Sequence, residues 1–239
     1  GYYLVGVQGR ETGQSPAPVG TGTLSAISRL KSAGAVSADP NFEYRMLATA
    51  PPGTRLVPND TLYARHWHME MIRMPEAWNV QVGKRQVRVA VVDSGVQVNH
   101  PDFQYPAGGT RVNQNDFYTP EPSAGDTSGH GTHVAGTIAA TTNNATGVSG
   151  IAGWSRGGVN VQIASARVFG SGPGTSLDII LAGIGWAETQ NVQVANFSLG
   201  GYGNAQAFAD AIASLQSRGV VVVGAAGNDS TSQAHYPSD

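Results

Sequence analysis

No cysteine occurs among the 239 residues, which excludes disulfides, thiolate nucleophiles and cysteine-bound metals while leaving the compartment open. Charge is scarce too. Only 13% of the residues are Asp, Glu, Lys or Arg, and a net charge of -2 gives neither nucleic acid nor an anionic membrane an electrostatic hold. No apolar run reaches transmembrane length, and the first residues lack the charged start and apolar core of a secretory signal. Also missing is a GxGxxG turn after the first core strand, which argues against a nucleotide-binding domain.

Glycine, by contrast, is plentiful at 32 residues, many beside strand-like runs, and 40% hydrophobic content suffices for one substantial core plus a small module. Tyr2 to Val7 reads as a strand, Thr23 to Ala33 as a helix with Leu24, Ile27 and Leu30 on one face, and Phe42 to Leu47 as a strand. Together they make a small α+β module over residues 1–47. Residues 48–59, rich in Pro and small side chains, read as a linker to a second domain at 60–239. There, apolar strands at Val87 to Val92, Val159 to Val168, Val192 to Leu199 and Val220 to Ala225 alternate with helices at Thr132 to Ala140, Ser176 to Thr189 and Ala205 to Arg218. That alternation predicts an α/β fold with a mostly parallel sheet covered by helices on both faces. Ligands of such sheets bind where the carboxyl ends of the strands emerge.

Three strands end there in chemistry-bearing sequence. Val92 runs into Asp93-Ser94-Gly95, Phe197 into Ser198-Leu199-Gly200-Gly201, and Val223 into Gly224-Ala225-Ala226-Gly227-Asn228. His130 follows a polar loop at the mouth of a helix, where an imidazole could exchange protons, simply cap the helix, or share a metal with His133. Asp93, at the end of an apolar strand, needs a partner, either that imidazole or the amides of its own turn. Asn228 is open to two readings, a donor to a developing oxyanion or a left-handed turn residue.

The segments VAVVDSGV around Asp93, HGTHVAG at His130, NFSLGG at Asn196 to Gly201 and VVGAAGN ending at Asn228 resemble, in this order, the subtilisin-like serine proteases or subtilases, and within them the thermitase-like branch. The resemblance spans roughly residues 60–239. It implies a subtilisin-like fold and a secreted, monomeric serine endopeptidase acting on polypeptides. In it, Asp93 orients His130, His130 serves as general base and then general acid, and Asn228 donates to the oxyanion. Substrate contacts are implied for Ser198, Leu199, Gly200 and Gly201 on one wall and for Ala225, Ala226 and Gly227 on the other, with room between for a large apolar side chain. The loop Gly170 to Gly174 resembles a second lining edge.

A structural Ca²⁺ is implied at Asp60, Asp102 and Asn144, completed by the backbone carbonyls of Thr141, Thr146 and Val148; six oxygens with two carboxylates suit calcium rather than zinc. Residues 1–47 resemble part of a propeptide that occupies the cleft of its own enzyme as an inhibitor, which would make the chain a zymogen. The family's nucleophile sits in a GTSMA-like motif, and no such motif is present. The chain begins with Gly and ends in a turn-like Tyr236-Pro237-Ser238-Asp239, so it reads as an internal piece, inactive as it stands, with the serine supplied from elsewhere. The competing reading is a peptide-binding module that keeps the cleft without the nucleophile. Trp67, Trp78, Trp154 and Trp186 are assigned to packing, and His66, His68, His100 and His235 are given no catalytic part.

Overall fold

The structure is a computed structural model that describes residues 21–33, 55–83, 85–105, 108–118, 121, 125–154 and 161–238. The strands expected at residues 2–7 and 42–47, and most of the linker, lie outside them. The chain divides into two units, Gly1–Thr49 and Ala50–Asp239. In the first, helix α1 (Thr21–Ser32) half-buries Ile27 and Leu30 and exposes Ser28 and Arg29 between them.

The second unit is built on a parallel five-stranded sheet in the order β2-β3-β1-β4-β5. Its strands are β1 (Val87–Asp93), β2 (Val112–Asp116), β3 (Val161–Arg167), β4 (Val194–Phe197) and β5 (Val221–Gly224). Strand β1 is central because its apolar run can be buried on both sides. Ala90 and Val92 enter a cluster with Ile184, Phe208 and Leu215 from helices α5 (Leu177–Thr189) and α6 (Gln206–Ser217). Val89 and Val91 face the opposite way, toward Ala135 and Ala139 of α4 (His130–Ala139). Burying each valine fully contributes about 1.5–3 kcal/mol. Two short helices, α2 (Trp67–Met71) and α3 (Met74–Val80), place Met69 and Trp78 against Trp154 in a third cluster.

One strand has no counterpart in the sequence reading, and two expectations need correction. Strand β2, with the polar sequence VNQND, carries no strand signal of its own; it pairs with β3 and buries only Val112 fully. The valine run of β5 reads as buried, yet Val221 and Val223 are 60% and 47% exposed, because among the described residues no strand lies outside β5. Trp67 does not pack in the core at all and is 68% exposed, whereas Trp78 and Trp154 are buried and Trp186 packs against Phe117. No helix of the described residues is long and apolar enough to cross a membrane.

Candidate active site

The parallel register brings the expected strand ends to one rim. Asp93 pairs with Arg167 across β1 and β3, Phe197 pairs with Gly224 across β4 and β5, and the Ala225 N–H donates to the Phe197 carbonyl at 3.0 Å. Above β1, the ring of His130 stands at the first position of α4 with Nδ1 2.7 Å from Asp93 Oδ1. The pair is strongly asymmetric in solvent. The Asp93 side chain is 3% exposed and that of His130 is 56%. A buried carboxylate takes the ring N–H at Nδ1, which fixes the tautomer and turns Nε2 toward solvent as a proton acceptor. Asp93 Oδ1 also accepts from the Ser94 N–H at 2.7 Å, while its buried Oδ2 has no hydrogen-bond partner among the described residues.

The approach of α4 to β1 is set by Gly131. A methyl group there would lie 2.2 Å from the Gly95 carbonyl oxygen and 3.1 Å from Asp93 Oδ1, so the helix can come this close only without a side chain. The glycine directly after His130 in HGTHVAG is thus a packing requirement of the His130–Asp93 contact.

Asp126 is the participant that a reading of the sequence misses, where it is only part of a polar loop. Its Oδ1 accepts from the N–H groups of Ser128 and Gly129 and from the Ser94 hydroxyl, and its Oδ2 from the N–H and hydroxyl of Thr132. Burial opposes its ionisation, but these donors, Thr132 foremost, outweigh burial and hold the carboxyl below its usual range. The Ser94 hydroxyl in turn accepts from the Gly131 N–H at 2.9 Å. One carboxylate therefore ties the turn after Asp93 to the first turn of the helix bearing His130. The only sequence signal is an acidic residue four positions before the histidine, in a loop rich in small residues.

The other expected residues are placed as follows. Asn228 is exposed in the loop after β5, beyond Gly227, and among the described residues no hydrogen bond links its side chain to Asp93 or His130. Ser198 is half-buried and accepts from the Asn196 side chain at 2.9 Å. Leu199 turns its side chain into the core, so any contact with a substrate falls to its backbone. Gly201, expected to be free for pairing, exchanges both backbone hydrogen bonds with Tyr236, at 3.0 and 2.9 Å. Ala225 is half-buried, and Ala226 and Gly227 are exposed. In the loop at 170–174 only Gly170 is buried, under Tyr118 and Glu121.

The six residues read as a cation site also converge on one loop. Asp60 and Asp102 are 5% and 1% exposed. Asp60 accepts from the N–H groups of Asn143 and Asn144 and from the Ser149 hydroxyl. Asp102 accepts from the Val148 N–H and faces the Asn144 amide at 3.3 Å, and its backbone carbonyl accepts from Thr141. Asn144 Oδ1 accepts from the Thr146 N–H. Neither carboxylate forms a salt bridge to Lys or Arg among the described residues. Alongside, a cavity of about 740 Å³ runs along α4, bordered by His66, His68, His100, His133 and the exposed Trp67. Burial and then its neighbours His68 and His133 hold His66 below the usual imidazole range. Among the described residues no three His, Asp or Glu side chains are arranged to hold a metal, which leaves the alternative of a shared His130–His133 ion without a third ligand.

A family model described as the subtilase family, Peptidase_S8, matches residues 84–239. The chain belongs to the subtilase family. Over 172 residues, 72% of the chain, it is 37% identical to an alkaline protease of Alkalihalobacillus alcalophilus and to Subtilisin Savinase of Lederbergia lenta. Over 182 residues, 76% of the chain, it is 34% identical to thermitase of Thermoactinomyces vulgaris. These stretches make up 42%, 59% and 61% of the respective relatives, so this subtilase chain spans about half the length of the curated proteins it matches. The helix and strand carrying His130 and Asp93 both lie within the matched residues of the subtilase model.

Proposed function

We propose that this chain forms the acid–base half of a serine endopeptidase, with polypeptide as substrate. The observation that carries the proposal is the 2.7 Å contact between a buried Asp93 and an exposed His130 at the carboxyl rim of the sheet. His130 Nε2 takes the proton of a serine hydroxyl as its oxygen attacks the scissile carbonyl, then delivers that proton to the leaving amine nitrogen when the C–N bond breaks. Asp93 holds the ring and stabilises the imidazolium between the two transfers. Asn228 has an amide available to donate to the oxyanion, an interaction whose removal costs about 100- to 1,000-fold in turnover where a subtilisin asparagine supplies it.

The nucleophile is assigned to no serine among the described residues. The Ser94 hydroxyl is committed to Asp126, Ser238 donates to the His235 carbonyl, and Ser230 and Ser232 are exposed in the loop after β5. Fluorophosphonate labelling of the full-length protein, followed by peptide mapping, tests the reading. A single labelled serine, lost in His130→Ala, is expected; a protein that takes no label and cleaves no peptide would overturn it.

Calcium belongs to the same proposal. Two buried carboxylates facing one loop, with no salt bridge to Lys or Arg among the described residues, suit a hard cation, and the residues that would hold it are Asp60, Asp102 and Asn144 with the carbonyls of Thr141, Thr146 and Val148. When bound, the ion would neutralise the pair and fasten the loop, supplying stability rather than chemistry. Calcium at about 100 times its dissociation constant should raise Tm by roughly 5–10 °C over EDTA, from a linkage term of about 2.7 kcal/mol. In Asp102→Asn the increment should fall below half. Equal Tm with and without calcium in the parent protein would exclude the site. An extracellular setting fits this reading, since sites of carboxylates and carbonyls fill where calcium is abundant. Residues 1–47 are read with it as an inhibitory propeptide.

A further inference from the structure

The amide assigned to the oxyanion stands on an exposed loop, and such an amide is aimed only as well as its loop is held. Residues 226–234 are all exposed, so burial does not fix Asn228. Its course is unusual: Gly227 and Ser230 have φ of 85° and 50°, so left-handed backbone flanks the pair Asn228-Asp229 on both sides. For Ser230 that region is unfavourable, and surrounding contacts must hold it there.

Among the described residues, the one side-chain hydrogen bond that ties residues 226–234 to another element comes from Tyr202, whose hydroxyl donates to Asp229 Oδ2. Tyr202 lies in the loop after β4, directly beyond Gly201, whose backbone is bonded in both directions to Tyr236. Its ring meets the His235 imidazole edge-on at 5.5 Å. That imidazole is seated against Gly200 and Gly227, where an added methyl would come 2.1 and 3.2 Å from it. The phenol is thus fixed at its base and along its edge, and only its hydroxyl end reaches the other loop. Donation to the Asp229 carboxylate holds the phenol above its usual range, which keeps it protonated, and a donor, into alkaline solution.

We propose that Tyr202 is a positioning residue for the oxyanion donor: through Asp229 it holds the loop that carries Asn228, and so aims the Asn228 amide at the charge developing on the scissile carbonyl oxygen. The inference rests on the assignment of Asn228 as that donor and adds how the donor is held. An interaction made in the transition state and not in the ground state acts on kcat and leaves KM alone. Misplacing a catalytic group by about 1 Å costs up to about 100-fold, and releasing a tether at the solvent edge should cost a part of that, about 10-fold.

The test is kcat and KM of the full-length protein on one peptide, with the inhibition constant of the matching peptide aldehyde, whose tetrahedral adduct presents an oxygen to the same donor. Asn228→Ala should lower kcat by about 100- to 1,000-fold. Tyr202→Phe removes the hydroxyl and keeps the ring contact with His235, so kcat should fall about 10-fold and aldehyde binding by a similar factor, with KM within about 2-fold of the parent. Asp229→Ala should match it, Asp229→Asn, which keeps an acceptor oxygen, should recover most of the loss, and Tyr202→Phe combined with Asp229→Ala should be no worse than either alone, because both delete the same bond. A Tyr202→Phe enzyme within about 2-fold of the parent in kcat, a loss confined to KM, or additive losses in the double variant would each overturn the proposal. If Asn228→Ala costs less than about 10-fold, Asn228 is not the donor and the inference falls with that assignment, while the roles of His130 and Asp93 stand. A parent protein that cleaves no peptide and takes no fluorophosphonate label rejects the endopeptidase reading itself.

Discussion

Asp93→Asn is expected to lower kcat about 10⁴-fold while leaving the fold intact, the cost seen when the equivalent carboxylate is replaced in serine proteases. The structure explains both halves of that expectation. Asparagine is nearly isosteric, but Asp93 Oδ1 faces both the Ser94 N–H and the His130 ring, so an amide nitrogen turned toward His130 gives up the Ser94 bond, a local cost of about 1 kcal/mol. What changes is the proton on His130. An amide N–H aimed at Nδ1 across the 2.7 Å contact makes Nδ1 the acceptor, so the ring proton moves to Nε2, where it blocks uptake of the serine proton. The negative charge that stabilises the imidazolium is lost as well, in a site where the side chain is 3% exposed and little water can replace it. Thermal unfolding should move by only a few degrees, the cost of about one hydrogen bond, which separates the chemical effect from a structural one. A loss below about tenfold with normal folding would mean that the pair is a helix-anchoring contact and nothing more.

The same pair shows what a sequence can and cannot disclose. Asp93 is legible because an apolar run precedes it and the chain cannot leave a carboxylate at such a strand end without a partner. His130 is legible because it follows a polar loop and opens an apolar helix face. Both signals are local, and so are the alternations that mark β1, β3, α5 and α6. Strand β2 has no such signal: in VNQND it relies on pairing with β3, whose residues lie far along the chain. Exposure of the β5 valines and of Trp67 depends on which surfaces neighbouring segments cover, and hydrophobicity alone reports only that covering would be favourable. The roles of Asp126 and His235 are hidden for a related reason. Asp126 collects donors from both sides of the cleft, and His235 fills the space under Gly200 and Gly227. A glycine at a strand end looks like room for a ligand until the side chain that occupies the room is located.

Arg167→Ala should be the most destabilising single change at the rim. Arg167 pairs with Asp93 in the β1–β3 register, and its side chain is fully buried. One guanidinium nitrogen donates to both oxygens of Asp116, at 3.0 and 2.8 Å, and to the Glu121 carbonyl at 2.7 Å, while the guanidinium lies over the Tyr118 ring. Its methylenes also support Gly95, whose added methyl would meet Arg167 Cδ at 3.1 Å. Alanine removes the packing and leaves Asp116 without this cation. Because the Asp116 side chain is 26% exposed, water relieves part of that cost, and we expect about 3 kcal/mol, the low end for breaking a buried pair, or roughly 6–12 °C in Tm. Arg167→Met separates the two contributions, since it keeps most of the volume and removes only the charge. Combined with Asp116→Asn, it should recover more than half of the loss, as replacing both members of a buried ion pair with well-packed neutral groups costs far less than orphaning one. If Arg167→Ala melts within about 2 °C of the parent, the ion pair contributes nothing net, and the turn after Asp93 must be held by Ser94 and Asp126 alone.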